Sequence, residues 1–129
     1  MKPFERTVTT EKSFDEAVEA IEKKTAEKGF RVLHTHDVAR TLREKGFPRD
    51  PLKIIEICNA KYASQVLDKD VKISLMLPCP ISVYVRQGKT YISTLLPSTI
   101  AEFYPDAHIE GPAGEVEAVV LKIIEEARV

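Results

Sequence analysis

The run Ile81-Ser82-Val83-Tyr84-Val85-Arg86-Gln87-Gly88-Lys89-Thr90-Tyr91-Ile92-Ser93-Thr94-Leu95 reads as a β-hairpin, and the architecture of the chain follows from it. Ile81, Val83 and Val85 alternate with Ser82, Tyr84 and Arg86, the period of a strand with one buried face. Gln87-Gly88 supplies the tight turn into Lys89–Leu95, as a two-residue hairpin connection requires. Tyr84 and Tyr91 fall on facing strands and read as a cross-strand packing pair. Tyr84 opening onto a pocket is the lesser reading.

Working outward, Pro78-Cys79-Pro80 lacks two amide donors and is expected ahead of the ladder rather than inside it. Upstream, Leu52-Lys53-Ile54-Ile55-Glu56-Ile57-Cys58 is a β-branched strand, and Asn59 is a good N-cap for a helix carrying Ala60, Ala63, Val66 and Leu67. Between these segments, Val71, Ile73, Leu75 and Leu77 alternate; the stretch 71–77 fits either an extended segment or an irregular lead-in. Phe30, Val32, His34 and His36 alternate with Arg31, Leu33, Thr35 and Asp37, so both imidazoles share one face of a strand. Asp37 then caps a short helix that Gly46 closes.

Nearer the start, residues 3–9 form a weakly patterned first strand. Ser13-Phe14-Asp15-Glu16 is a capping box opening a helix over 13–28, with Phe14, Ala17, Val18, Ala20 and Ile21 as its apolar stripe. Lys23, Lys24 and Lys28 read as its solvated face. Beyond the hairpin, Pro97 suits the first turn of a short helix with Ile100, Phe103 and Tyr104. Residues 105–114 read as a turn-rich loop in which His108 is exposed. A final helix over about 115–127 repeats Val116, Val119, Val120, Ile123, Ile124 and Ala127. The five glycines are all expected between periodic segments.

This order predicts one α+β domain over 1–129: a mostly antiparallel five-stranded sheet with the N- and C-terminal helices packed on one face. The mixed Ile54/Ile55/Ile57 pattern leaves the second face partly apolar, which a second copy of the chain would cover, so a homodimer is expected.

Composition narrows the function classes. Nineteen basic residues stand against twenty acidic ones in a chain that is 43% hydrophobic and 30% charged. A net charge of −1 gives no electrostatic ground for nucleic-acid or anionic-membrane binding. No apolar run reaches the ~20 residues of a membrane span, and no signal peptide is evident; a cytoplasmic location is expected. Side-chain amides are confined to Asn59, Gln65 and Gln87 while Lys and Glu abound, a bias of proteins that work hot, so a thermophilic source is expected. There is no phosphate-binding loop, dinucleotide fingerprint, zinc ribbon or nucleophile elbow.

What remains is a constellation of Cys58, Cys79, His34 and His36, with Asp37 and Asn59 beside them. Cys58 precedes a helix N-terminus, where a thiol pKa can be depressed. Cys58, Cys79 and one or both imidazoles suggest a transition-metal site. The two thiols suggest a reversible dithiol–disulfide pair. Cys58 with His36 as base suggests nucleophilic catalysis. The blander reading is favoured over each: free cysteines commonly fill space, and Asp37 and Asn59 are explained as caps. No resident metal or cofactor is expected.

Gly29-Phe30, His36-Asp37, Leu42, Lys45-Gly46, Glu56-Ile57-Cys58-Asn59, Ala63, Val66-Leu67, Leu77-Pro78-Cys79, Ile81-Ser82-Val83-Tyr84 and Gly88-Lys89 together resemble the family called domain of unknown function 302, over about residues 1–105. The Cys-Asn and Pro-Cys elements are the most specific. The resemblance implies a compact strand-helix-four-strand-helix domain, similar in fold class to the TATA-binding protein and often homodimeric, with no established activity. That fold likeness implies no DNA binding. His36, Asp37, Cys58, Asn59, Pro78, Cys79 and Tyr84 fall on the family pattern, whereas His34 does not clearly do so, which weakens a two-histidine metal site. Many members carry a polar or basic residue where this chain has Pro80, so any anion contact at that corner is in doubt. The expectation is therefore a small non-catalytic binding protein whose small-molecule or protein ligand docks near Cys58 and Cys79. A thiol-redox or metal protein and a purely structural interaction module are the alternatives. His36, Asp37, Cys58, Asn59, Cys79 and Tyr84 are the candidate contacts.

Overall fold

A computed structural model of the chain describes residues 3–129. Five strands, β1 (Glu5–Thr10), β2 (Arg31–Asp37), β3 (Leu52–Cys58), β4 (Cys79–Arg86) and β5 (Lys89–Leu95), form one sheet in the order β1-β5-β4-β3-β2. Every pairing is antiparallel. The hairpin of β4 and β5 closes as its sequence demands: Gln87 and Gly88 take φ of 54° and 78°, the two positive values of a type I′ turn.

Helices α1 (Phe14–Glu27) and α5 (Glu110–Ala127) cover one face of the sheet. α1 forms because its start is locked: the Ser13 hydroxyl accepts from the Glu16 amide while the Glu16 carboxylate accepts from the Ser13 amide. Its apolar stripe buries Ala17, Val18 and Ile21 against Ile55, Ile57, Ile81, Val83 and Ile92 of the sheet, and Val120, Ile123 and Ile124 of α5 complete this main core. Lys24 and Lys28, expected to be merely solvated, instead reach Glu126 of α5 at 4.0 and 2.7 Å. Such half-exposed pairs contribute at most about 1 kcal/mol each, so they orient the two helices more than they hold them.

Three smaller helices, α2 (Val38–Glu44), α3 (Ala60–Lys69) and α4 (Ser98–Phe103), and two 3₁₀ turns (Val71–Met76 and Pro105–Ala107) complete the described chain. A second, smaller core of Val66, Ile73, Ile100, Ala101, Ala107, Ile109 and Ala113 lies among α3, α4, the turns and the start of α5.

Residues 71–76 take the irregular of their two readings, a 3₁₀ turn: the Asp70 side chain accepts from the Lys72 amide and starts it. Of its alternating apolar residues only Ile73 is fully buried, while Val71 and Leu75 stay 71% and 82% exposed. Other expectations need correction. α5 begins at Glu110 rather than near 115, so Gly111, Pro112 and Gly114 lie inside a helix and not between elements. Pro112 is tolerated because amides in the first turn have no intrahelical acceptor to lose. Cys79 and Pro80 belong to β4 itself, opposite Ile57 and Glu56 of β3. Pro80 fits there because its carbonyl takes the Thr94 hydroxyl and the β4–β5 pairing starts only at Ile81.

The second face of the sheet lies away from α1 and α5. Thr7, Ser93, Ser82, Ile54 and His36 form one row across all five strands, with Tyr84 and Tyr91 on one side and Glu56 and His34 on the other. The tyrosines stack at 5.5 Å between ring centroids, and the Tyr84 hydroxyl shares a 2.8 Å hydrogen bond with Ser93, so cross-strand packing accounts for them.

Candidate functional site

Cys58 ends β3 and Cys79 begins β4. The register pairs Cys79 with Ile57, so Cys58 is the residue immediately after Cys79's partner. Both thiols are free and partly buried. Asn59 fixes the corner beyond Cys58: its Oδ1 accepts from the Lys61 and Tyr62 amides, and its Nδ2 donates to the Gly29 carbonyl at 3.3 Å. One side chain thus caps α3 and ties it to the loop before β2, a cap of a kind that contributes about 1 kcal/mol. On the other side, Pro78 follows a cis peptide bond and Pro80 restricts the chain after Cys79.

The two thiols line a common pocket with about 40 Å³ of free space. It lies at the seam between the two cores: Phe30, Ile57 and Val116 bound it from the main core, Val66, Ile73 and Ile109 from the smaller one. Asn59 and Tyr62 are its polar members besides the thiols, and no imidazole or carboxylate is among the lining residues. Burial raises the Cys58 thiol above its ordinary pKa. Cys79 is pushed up to about 11, first by burial and then by the neighbouring Cys58. The depressed pKa expected for Cys58 is therefore reversed, because desolvation of a thiolate outweighs the helix end. Tyr62 is raised too, by desolvation first and then by the Glu115 carboxylate.

His36 is not part of this pocket. It pairs with Ile54, four residues from Cys58 along β3, or roughly 13 Å at strand rise. There it sits on the uncovered face, with Nε2 2.8 Å from Glu56 Oε1 and its ring 4.3 Å from that of His34. A Cys58–His36 dyad is thus not assembled, and neither is a Cys58/Cys79/His36 metal centre. Among the described residues no three His, Cys, Asp or Glu side chains are grouped as a metal ion would need. Asp37 caps α2 by accepting from the Arg40 amide. Tyr84 lines an open groove on the uncovered face with Arg49, Leu52 and Ser82.

Sequence reasoning missed most of the pocket wall, including Phe30, Tyr62, Ile73, Ile109 and Ala113. A signal was present: Ile73, Ile100 and Ile109 are large apolar residues for which the two-helix, one-sheet layout offers no surface.

What the arrangement can do follows from its chemistry. An apolar wall with two protonated thiols can bind apolar or soft groups, but it offers no thiolate at neutral pH. Among the described residues no helix is long and apolar enough to cross a membrane.

A family model described as "Domain of unknown function DUF302" matches residues 6–127, so the likeness runs through α5 and well past residue 105. The crystal structure of an uncharacterized conserved DUF302 protein from Bacillus stearothermophilus is similar over 98% of this chain and 100% of that one, at 28% identity and a TM-score of 0.92. No curated protein matches the chain.

Proposed function

The chain belongs to the DUF302 family, a domain of unknown function, and we propose that this member is a non-catalytic binding module for a small apolar ligand. One observation carries the reading: an apolar pocket at the meeting of two hydrophobic cores, with Cys58 and Cys79 among its lining residues. Concave, mostly apolar sites with few polar groups are where small ligands bind. The alternative of a redox or metal centre using Cys58, Cys79 and His36 is disfavoured by the position of His36 on the other face.

Xenon tests the pocket. Under xenon pressure, methyl resonances of Val66, Ile73 and Ala113 are expected to shift together, saturating as at a single site. Ala63→Leu, on the pocket wall, should abolish those shifts in a folded protein. Shifts scattered over the surface, or none at these methyls, overturn the reading.

The same proposal takes the protein as a homodimer paired across the uncovered face, where Leu52, Ile54, Tyr84 and Tyr91 are half-buried beside His34, His36 and Glu56. A face holding both imidazoles and a carboxylate can meet its own copy about a twofold axis. Light scattering at micromolar concentration should give twice the chain mass; a monomer mass rejects the dimer and leaves the pocket reading standing. Two unpaired cysteines suit the reducing cytoplasm.

A further inference from the structure

We propose that His34 and His36 form a two-imidazole site for a divalent transition ion of the copper, nickel and zinc class, at the margin of the uncovered face. The inference stands apart from the apolar pocket, whose lining contains no imidazole. Strict strand alternation would put Val32, His34 and His36 on one face, and Val32 packs against the main core. A bulge keeps the imidazoles out of that core. Val32 pairs with Ile57 and His34 with Glu56, adjacent residues of β3, so Leu33 is the extra residue between them. Ile57 is fully buried toward the helices, Glu56 points the other way, and both imidazoles turn outward with Glu56. Thr35 between them faces inward, donating to Glu22 of α1. Bulges commonly re-aim side chains beside functional sites.

The result is a close group of three side chains. The two rings lie edge to face with centroids 4.3 Å apart. An ion bound by two imidazole nitrogens at about 2.0–2.1 Å sets the ring centres roughly 4.5–5 Å apart. The spacing is therefore near that of a chelate, and side-chain rotation can supply the difference. His36 Nε2 lies 2.8 Å from Glu56 Oε1. An ionised carboxylate can only accept, so in the neutral ring the proton is held on Nε2 and the Nδ1 lone pair is left for the ion. Glu56 is thus a positioning residue, the carboxylate that metal-binding histidines commonly keep on their second nitrogen.

The donors select the ion. Two neutral nitrogens without a thiolate suit copper(II), nickel(II) or zinc(II), with copper(II) bound tightest. Calcium and magnesium need several oxygens, which the pair does not offer. Among the described residues no group of three protein ligands is assembled, so water fills the remaining positions. Both histidines are exposed, and β2 is the last strand of the sheet. Water therefore reaches the pair from the sheet's edge even where a second copy covers its middle.

Nickel(II) chloride, titrated into the unmodified chain in a non-coordinating buffer, tests the site by calorimetry and by paramagnetic loss of amide NMR signals. One ion per chain is expected, with the amides of His34, Thr35, His36, Ile54 and Glu56 lost first and those of Val66 and His108 kept. His34→Gln and His36→Gln should each weaken binding by at least about tenfold, because the second bond of a chelate forms within one molecule. His108→Gln removes the remaining histidine and should leave the affinity unchanged. Glu56→Gln should weaken binding roughly tenfold with the melting temperature unchanged; unchanged affinity there refutes its positioning role. Wild-type affinity in the His34 or His36 variant, or first losses at Val66 or His108, overturns the proposal.

Discussion

Replacing Ile55 with alanine is expected to destabilise the protein by about 2–5 kcal/mol, the range for deleting a buried isoleucine side chain where the surroundings relax only in part. Ile55 is fully buried at the middle of β3, between Thr35 of β2 and Ile81 of β4, under the two long helices. A cavity there is walled by strands on both sides, so little can collapse into it. In urea the midpoint should fall with the slope unchanged, and thermal unfolding should drop by roughly 10 °C. Ile54→Ala, one residue away on the uncovered face, is the control. It should cost under about 1 kcal/mol in the isolated chain, because Ile54 is only half-buried there. Equal effects at the two positions would refute the assignment of inner and outer faces.

The second large effect concerns alkaline pH. The Cys79 thiol has an ordinary pKa near 9 and is pushed up to about 11 in the folded chain by burial and by Cys58. Its contribution is fully present below pH 9, where both folded and unfolded forms hold the proton. Between pH 9 and 11 the unfolded chain releases that proton and the folded chain does not, so stability falls as pH rises, by on the order of 2–3 kcal/mol. Tyrosines and lysines titrate in the same window, so the quantity to measure is the stability gap between wild type and Cys79→Ala. That gap should shrink by this amount between pH 8 and pH 11. A gap that stays constant would mean that the thiol is not desolvated.

These two predictions rest on parts of the molecule that were unequally legible in the sequence. The inner face of β3 and β4 could be read because Ile55, Ile57, Ile81 and Val83 follow the strand period, and Gln87-Gly88 fixes where the hairpin turns. The caps at Ser13, Asp37 and Asn59 were legible for the same reason: each is a local hydrogen bond between near neighbours. The 3₁₀ turn at 71–76 was not, because Val71, Ile73 and Leu75 alternate as a strand's residues would and only packing decides that Ile73 alone of the three is fully buried. The early start of α5 was hidden by Gly111, Pro112 and Gly114, poor helix formers that the burial of Ala113 and Val116 overrides. In the candidate site the cysteines were visible as residue types. Their shared pocket, and the separation of His36 from it, depend on strand order and register, which no local spacing encodes.

The pairing of β1 with β5 has a consequence for how the chain acquires its shape. Glu5 lies opposite Leu95, so the first strand finds its ladder in a segment made some ninety residues later. On a ribosome β1 cannot be placed until β5 has emerged, and α1 meanwhile exposes its apolar stripe without α5 to cover it. Closing so long a loop is entropically late, whereas β4 and β5, joined by two residues, can pair at once. The hairpin is the natural seed, with β3 added next, while edge strand β1 waits for a partner made long after it.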